Sequence, residues 1–131
     1  MKKELTLREK QSLFAKNMAT LILWAFDNGM ELTVGEWQRT EDQQTLYFEG
    51  LRLQRMGGKI KLFNSVQKSK TMFSDHLKKL AADVFLFING DYKTDKESYG
   101  PLHKYWKTLH PNNYSGSDWG WDFVHFGMKE E

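Results

Sequence analysis

The sequence contains no cysteine, which excludes disulfide bridges and thiolate metal ligands. Any zinc site would therefore have to use histidine and carboxylate side chains. No long apolar run follows Met1-Lys2-Lys3-Glu4, so we expect neither a signal peptide nor a membrane-spanning helix, and no stable membrane association. The lack of cysteine and the lack of a signal peptide both fit synthesis in a cytoplasm.

An excess of charge of one sign is also lacking, because 19 basic and 17 acidic residues leave a net charge of only +2. So small an excess does not by itself support nucleic-acid binding. Six lysines nevertheless fall between Lys59 and Lys79. A solvated loop face is the ordinary explanation for such a run, and approach to an anionic envelope surface is the alternative. The length of 131 residues predicts one domain with a core of its own.

Hydrophobic periodicity predicts an α+β fold, in which an antiparallel sheet is flanked by helices. We expect helices over residues 6–28, 41–53 and 101–109, and strands over residues 31–37 and 82–88. Residues 55–71 are rich in glycine, lysine and serine and are predicted to form a long loop over a cleft, with a short strand as the alternative.

Candidate chemistry is concentrated in two short stretches, residues 74–83 and 119–126. Together they hold two imidazoles and two carboxylates. His76, Asp83 and His125 would make a three-ligand zinc site with one position left open, as a catalytic site requires. Asp122 would remain as a proton-transfer group.

The spacing of these ligands constrains the chain between them. On one helix, His76 and Asp83 would lie about 10 Å apart along the axis, too far apart for one ion. The chain must therefore turn, and the apolar run after Leu80 predicts that Asp83 lies in a buried strand. A buried carboxylate without a partner is costly, and a metal ion would satisfy it. A salt bridge to lysine or arginine, or a solvated strand start, would also explain this residue.

Arg39 is placed at a predicted strand-to-helix junction, where functional side chains are common. Its planar guanidinium suits a pair of carboxylate oxygens. From the residues alone, a salt bridge with Glu36 or Glu41 is the simpler interpretation. His103 and His110 belong to no such pattern, and the sequence assigns them no role.

Three motifs carry a family resemblance. Residues 74–83 have the form Ser-x-His-x6-Asp, residues 119–126 the form Trp-x-x-Asp-x-x-His-Phe, and residues 39–43 resemble an Arg-Thr-x-x-Gln segment. The chain thereby resembles the D-Ala-D-Ala metallopeptidase family over about residues 10–128. That family includes VanY-type carboxypeptidases and phage L-alanyl-D-glutamate endopeptidases (endolysins). The chain departs from the family at Lys79, where many members have glycine, and at residues 117–119, where Gly-Gly-Asp-Trp-like runs are common.

The resemblance implies a mechanism for the metal motifs. Zinc held by His76, Asp83 and His125 would activate a water, and Asp122 would act as the general base that takes its proton. A plain strand would point Asp122 away from His125, so we expect a turn or bulge near residues 121–122. A carboxylate that only orients a ligand histidine is the alternative for Asp122.

The resemblance also implies the substrate, the stem peptide of peptidoglycan, with Arg39, Gln43 and Ser74 as its binding residues. Arg39 would in addition be a catalytic residue, because it would hold or polarise the substrate. A helix-surface position is the alternative for Gln43, and a capping role is the alternative for Ser74. Two bonds compete, namely L-Ala–D-Glu in a phage or prophage endolysin and D-Ala–D-Ala in a carboxypeptidase. We expect the endolysin that cuts the L-Ala–D-Glu bond. We also expect a monomer whose residues 1–131 form a single zinc peptidase domain without a separate wall-binding domain. It would be made in the host cytoplasm and act on the wall after release.

Two interpretations lie outside enzymes. A non-enzymatic domain could use the same ligands for a structural zinc, but structural sites are usually closed by four protein ligands. A basic nucleic-acid-binding module would need residues 59–79 to be a binding surface, and its binding would be sensitive to salt.

Overall fold

The fold is built around one long strand, β4, in a computed structural model that describes residues 4–130. The helices are α1 (Leu7–Asp27), α2 (Glu41–Glu49) and α3 (Lys96–Leu109). The strands are β1 (Glu31–Val34), β2 (Leu51–Met56), β3 (Lys59–Asn64), β4 (Ala81–Ile88), β5 (Asp91–Lys93), β6 (Asn113–Ser115) and β7 (His125–Met128). Short 3₁₀ helices cover Asp75–Lys78 and Gly116–Trp119.

All strand pairs within residues 4–130 are antiparallel. The main sheet has the order β1-β4-β7-β6, and β5 pairs with the second half of β4. Strands β2 and β3 form a separate two-stranded sheet. This arrangement of three helices and antiparallel sheet in one small domain confirms the predicted α+β class.

Strand β4 separates the core from the candidate site because its side chains alternate between the two faces of the sheet. Ala82, Val84 and Leu86 are fully buried in the core cluster with residues of α1 and α3. Asp83 and Phe85 lie on the opposite face and line a cleft. The predicted strand over residues 82–88 is thus confirmed, and its one acidic residue lies on the face opposite α1 and α3.

Helix α1 follows the prediction closely. Thr6 and Glu9 form a reciprocal capping box, and the chain turns after Asn28 at Gly29, whose φ is +76°. Phe14, Met18 and other apolar residues of its inner face are fully buried. In residues 4–130 no helix combines the length and apolar character needed to cross a bilayer.

The region after α2 differs from the prediction. The helix was expected to reach residue 53, but it ends at Glu49 because Gly50 adopts a left-handed conformation with φ +70°. Strands β2 and β3 then form a hairpin in place of most of the predicted loop. Gly57 and Gly58 have φ of +57° and +78°, which suits the tight turn between paired strands.

Helix α3 begins earlier than the predicted residue 101. Asp95 caps it by accepting a hydrogen bond from the Ser98 N–H at 2.9 Å, so the helix starts at Lys96. Pro101 lies within the helix, where its missing N–H leaves the Glu97 carbonyl without the usual helical partner. A side-chain cap therefore outweighs the general preference of proline for the first helical position.

Candidate active site

The three predicted metal ligands meet on the cleft face of the sheet. Asp83 and His125 are direct partners across the antiparallel pair β4–β7, so their side chains emerge side by side. His76 lies in the 3₁₀ helix that precedes β4. One donor atom from each residue can be chosen so that all three lie within 4.8 Å of one another.

The distances between these donors fit a shared ion. His76 Nε2 lies 3.4 Å and His125 Nδ1 lies 3.9 Å from the same oxygen, Asp83 Oδ1. Two ligands of a tetrahedral zinc, each about 2.1 Å from it, lie about 3.4 Å apart. The set of two imidazoles and one carboxylate is also a common catalytic zinc set. His76, Asp83 and His125 could therefore hold a metal ion.

The ring of His76 is fixed by the backbone of the segment that follows β1. Its Nδ1 lies 2.9 Å from the Trp37 carbonyl oxygen, to which it can donate a hydrogen bond. This bond selects the tautomer in which Nε2 carries the lone pair, and Nε2 is the atom that faces Asp83. The N–H of Arg39 donates to the His76 carbonyl at 3.1 Å, so the same segment also holds the histidine backbone.

The ring of His125 is fixed by two further side chains. Its Nε2 lies 3.1 Å from the Tyr114 hydroxyl, which donates to Asp75 Oδ2 at 2.5 Å. With the hydroxyl proton directed to Asp75, the tyrosine oxygen accepts from Nε2–H, and Nδ1 is left free to face Asp83. Burial lowers the pKa of His125 to about 4, and the nearby His76 acts in the same direction. The imidazole is thus neutral at pH 7, as a metal ligand must be.

Tyr114 reaches this position because strand β7 has glycine beside it. Tyr114 and Gly127 are register partners, and a Cβ at Gly127 would lie 2.5 Å from the tyrosine ring. Burial, together with the hydrogen bond to Asp75, raises the pKa of Tyr114 above its usual range. The phenol therefore stays protonated and keeps its donor role.

Replacing Tyr114 by phenylalanine is expected to weaken divalent-metal binding by about 10- to 100-fold, the usual effect of losing a partner of a ligand histidine. The reason is that His125 loses the acceptor that fixes its tautomer. Zinc affinity is measured by competition with a chromogenic chelator. Tyr92→Phe makes the same change on the exposed strand β5 and should leave the affinity unchanged. If Tyr114→Phe and the wild type bound zinc with equal affinity, a role of Tyr114 in fixing the His125 tautomer would be excluded.

Asp122 lies in a turn just before β7, as expected from the sequence. Its φ is +58°, and its carbonyl accepts a hydrogen bond from the His125 N–H at 3.1 Å. Gly116 packs against this turn so closely that a Cβ there would lie 1.9 Å from the Asp122 carbonyl oxygen. The turn brings the side chain of Asp122 into the cleft that the three candidate ligands line.

The environment of Asp122 favours its protonated form. Burial raises the pKa of this carboxyl to about 6, and the negative charge of Asp83 acts in the same direction. A proton acceptor works best when its pKa is close to the working pH. The carboxyl is therefore suited to take up and return a proton near neutral pH.

Arg39 lies in the same cleft, but most of its donors are engaged. Nε donates to Glu36 Oε1 at 2.5 Å, and Nη2 forms an ion pair with the same oxygen. Nη1 donates to Gln44 Oε1 at 2.6 Å and to Ser74 Oγ at 3.3 Å. The salt bridge with Glu36, the simpler interpretation from the sequence, is thus present. Of the five N–H groups of a guanidinium, only one of Nη2 remains without such a partner among the described residues.

The other two predicted substrate residues differ in position. Ser74 lines the cleft, and its Oγ also accepts from the His76 N–H at 3.2 Å, so it caps the 3₁₀ helix as well. Gln43 is half-buried on α2 and is not part of the cleft lining. Its neighbour Gln44 is fully buried. It accepts a hydrogen bond from Arg39 and donates one to Ser69, in the segment that follows the hairpin. The structure therefore brings Ser74, but not Gln43, to the candidate ligands.

The cleft has a volume of about 610 Å³ and aromatic walls. Trp119 and Trp121, each about half exposed, stand on one side with ring centroids 6.2 Å apart. Phe73 is 91% exposed at the rim. A cleft of this size and composition can hold a peptide of a few residues.

The remaining histidines have structural contacts outside the cleft. His103 is buried, and its Nε2 lies 2.8 Å from the Phe123 carbonyl oxygen, in the turn that leads to β7. His110 accepts a hydrogen bond from the Asn112 N–H at 3.0 Å. Neither ring lines the cleft.

Sequence reasoning missed three residues of the site, Tyr114, Asp75 and Gln44. Tyr114 lies in a turn-rich stretch of weak pattern, and only the register of β6 with β7 places it beside His125. Asp75 adjoins His76 in sequence, but its contact with Tyr114 spans 39 residues. Gln44 could have been found from helical spacing, because it lies on the inner face of α2 and Gln43 does not.

Comparisons with known proteins show the fold. No protein-family model and no curated protein matches this sequence. Among solved structures, the chain is similar to the Serratia marcescens L-Ala D-Glu endopeptidase ChiX, with a TM-score of 0.62 and 16% sequence identity. The match covers 98% of this chain and 90% of that chain. The fold of this chain is therefore shared, nearly over its whole length, with a protein described as an L-Ala D-Glu endopeptidase.

Proposed function

We propose that the protein is a zinc-dependent peptidoglycan peptidase that hydrolyses the L-Ala–D-Glu bond of the stem peptide. The observation that carries the proposal is the cluster of His76, Asp83 and His125 in one cleft with the half-buried carboxyl of Asp122. The shared fold with an L-Ala D-Glu endopeptidase supports the choice of substrate and bond. The sequence resemblance supports a role as a phage or prophage endolysin.

The donor set favours zinc in a catalytic site. Two imidazole nitrogens and one carboxylate oxygen suit this ion, and they are the one such cluster in residues 4–130. Three protein ligands leave a position open, whereas structural zinc is usually closed by four. When bound, zinc supplies Lewis-acid chemistry, since it lowers the pKa of water to about 7 and polarises a carbonyl.

Asp122 carries the proton in the proposed reaction. Its carboxylate takes a proton from the water that attacks the scissile carbonyl, and it then gives that proton to the departing amine. As the water attacks in the cleft, negative charge develops on the oxygen of the scissile carbonyl. The free N–H of Arg39 Nη2 can donate to a substrate oxygen there, while Glu36 and Gln44 fix the guanidinium.

Mass spectrometry of digested peptidoglycan tests the proposed function. Purified sacculi are incubated with the protein, with and without a chelator and with zinc added back. We expect new L-Ala carboxyl termini and D-Glu amino termini that disappear with the chelator and return with zinc. Release of free D-Ala would instead identify a carboxypeptidase. A zinc-loaded protein that cuts none of several wall types would contradict a peptidase function.

A further inference from the structure

Positive charge in this protein is concentrated in one segment. Between Glu49 and Asp75 there are six basic residues and no acidic residue, so the rest of the chain carries a net charge of −4. Four of the six basic residues lie on the β2–β3 hairpin. The other two, Lys68 and Lys70, follow the hairpin and line the cleft.

A buried glutamine anchors the backbone that carries these two lysines. Gln44 Nε2 donates to Ser69 Oγ at 2.8 Å and to the Thr71 carbonyl. The N–H of Lys68 donates to the Tyr47 carbonyl at 3.0 Å, at the end of α2. Residues 68–71 are therefore fixed to the helix, and they present Lys68 and Lys70 at the same border of the cleft.

Aromatic rings, and not carboxylates, lie beside the two ammonium groups. Lys68 Nζ is 5.5 Å from the centroid of Tyr47, and Lys70 Nζ is 5.8 Å from the centroid of Trp121. Among the residues that the structure describes, neither lysine forms an ion pair with an acidic side chain. Their charges are thus available to an anionic ligand, whereas the charge of Arg39 is paired with Glu36.

The two lysines also line a second depression that adjoins the cleft. It has a volume of about 350 Å³ and is lined by Gln67, Lys68, Lys70 and Trp121. Three of these residues, the lysines and Trp121, belong to the main cleft as well. A peptide in the cleft can therefore extend an acidic side group between the lysines while its backbone stays near the candidate metal ligands.

We propose that Lys68 and Lys70 form a carboxylate-binding subsite that recognises the free carboxylate of the residue following the scissile bond. This inference rests on the proposed function. A Glu residue has two carboxyl groups, and only one continues the peptide, so the residue after an L-Ala–D-Glu bond presents a free carboxylate. Arg39 cannot offer its planar fork to that group, because Glu36 accepts from both Nε and Nη2.

The subsite is tested with two peptides that contain an L-Ala–D-Glu bond. One has the free carboxylate on the D-Glu residue, and the other has the corresponding carboxamide. Binding is measured by calorimetry on the zinc-loaded full chain carrying Asp122→Asn, so that cleavage is slow. We expect the carboxylate peptide to bind about 3- to 20-fold more tightly, a sum of two partly screened charge contacts. The preference should shrink as salt is raised.

Three lysine double variants in the same background assign the preference to the subsite. Lys68→Met with Lys70→Met should bind both peptides equally, and the arginine pair at these positions should keep the preference. Lys59→Met with Lys61→Met removes the same charge from the hairpin, outside the cleft lining, and should also keep it. The proposal is overturned if the unsubstituted background shows no preference or no saturable binding. It is equally overturned if the Lys68/Lys70 methionine variant keeps the preference, or if the hairpin control loses as much.

Failure of the proposed function is read separately, from hydrolysis by the wild-type protein. If the zinc-loaded wild type cuts neither peptide, the proposed peptidase function is wrong. The binding data alone then decide whether the two lysines recognise the carboxylate. If the wild type cuts both peptides with equal KM, the peptidase function stands and the lysine subsite fails.

Discussion

Replacing Asp122 by asparagine is expected to lower the rate of stem-peptide hydrolysis by about 10²- to 10⁴-fold, while the zinc content is unchanged. The size of the effect is that of a positioned acid–base group. Zinc should stay because Asp122 is not among the three clustered ligands. The rate is measured with a soluble peptide and the zinc content by elemental analysis. Asp91→Asn, the same change at an exposed residue of β5, should leave both unchanged.

The same variant has a stability signature that separates a half-buried acid from a fully exposed one. Because the pKa of Asp122 is raised from 3.8 to about 6 in the folded protein, the folded state disfavours the charged form. The resulting destabilisation is complete above pH 6 and absent below pH 3.8. Metal-free Asp122→Asn should therefore be more stable than the wild type at pH 8, by about 1–2 kcal/mol after allowance for solvent screening, and equally stable near pH 3.5.

A wild-type rate in Asp122→Asn would remove this residue from the proton transfer. Loss of zinc together with the rate would instead make Asp122 part of the ligand arrangement. Chemical denaturation at the two pH values gives the stability difference independently of any substrate. The rate and the zinc content together therefore distinguish an acid–base group from a carboxylate that only orients a ligand histidine.

Replacing His125 by alanine is expected to abolish stoichiometric zinc binding, with an affinity loss of well over 100-fold, and to abolish hydrolysis. Even losing a hydrogen-bond partner of a ligand costs about 10- to 100-fold in affinity, and losing a ligand costs more. Added zinc should raise the melting temperature of the wild type, since it binds only the folded site, and should not raise that of the variant. His110→Ala changes a residue outside the cleft, so this variant should keep zinc binding and the rise in melting temperature that zinc produces.

The melting temperature of His125→Ala needs a metal-free reference, because His125 is buried and its removal also leaves a cavity that lowers stability. The metal-free variant is therefore compared with the metal-free wild type, and only the additional shift produced by zinc is assigned to the site. Full zinc occupancy in His125→Ala would contradict the ligand set. His76→Ala should behave in the same way, because its Nε2 faces the same Asp83 oxygen.

The sequence allowed the candidate ligands to be found because the residues of each motif are close together. His76 and Asp83 lie on either side of a short turn, and Asp122 and His125 are three residues apart, so local structure almost determines their placement. The strand prediction for residues 82–88 was correct because a continuous apolar run is a strong signal. The pairing of β4 with β7 then brings the two motifs together.

The parts that were missed depend on contacts between distant residues or on turn geometry. The β2–β3 hairpin has the Gly57-Gly58 turn that tight hairpins favour, but its strands are mostly exposed, and their polar residues concealed the alternation. Gly50, and not a loss of helical pattern, ends α2. The engagement of Arg39 by Glu36 and Gln44 also depends on tertiary packing, so the sequence could not show how few donors remain free.

The departure at Lys79 has a conformational explanation. Lys79 ends the 3₁₀ helix after His76 with φ of +59°, in the left-handed region that glycine adopts without cost. Glycine, which many D-Ala-D-Ala metallopeptidases have at the matching position, suits this backbone. Lysine keeps the same turn, so His76 and Asp83 still reach each other in this chain.

Crystallography of zinc-soaked protein with anomalous scattering at the zinc edge tests the proposed metal site. We expect one strong anomalous peak in the cleft, bonded to His76 Nε2, a carboxylate oxygen of Asp83 and His125 Nδ1, with Asp122 near the ion but not bonded to it. A peak at other residues, or a fourth protein ligand that closes the site, would contradict a catalytic zinc centre in this protein.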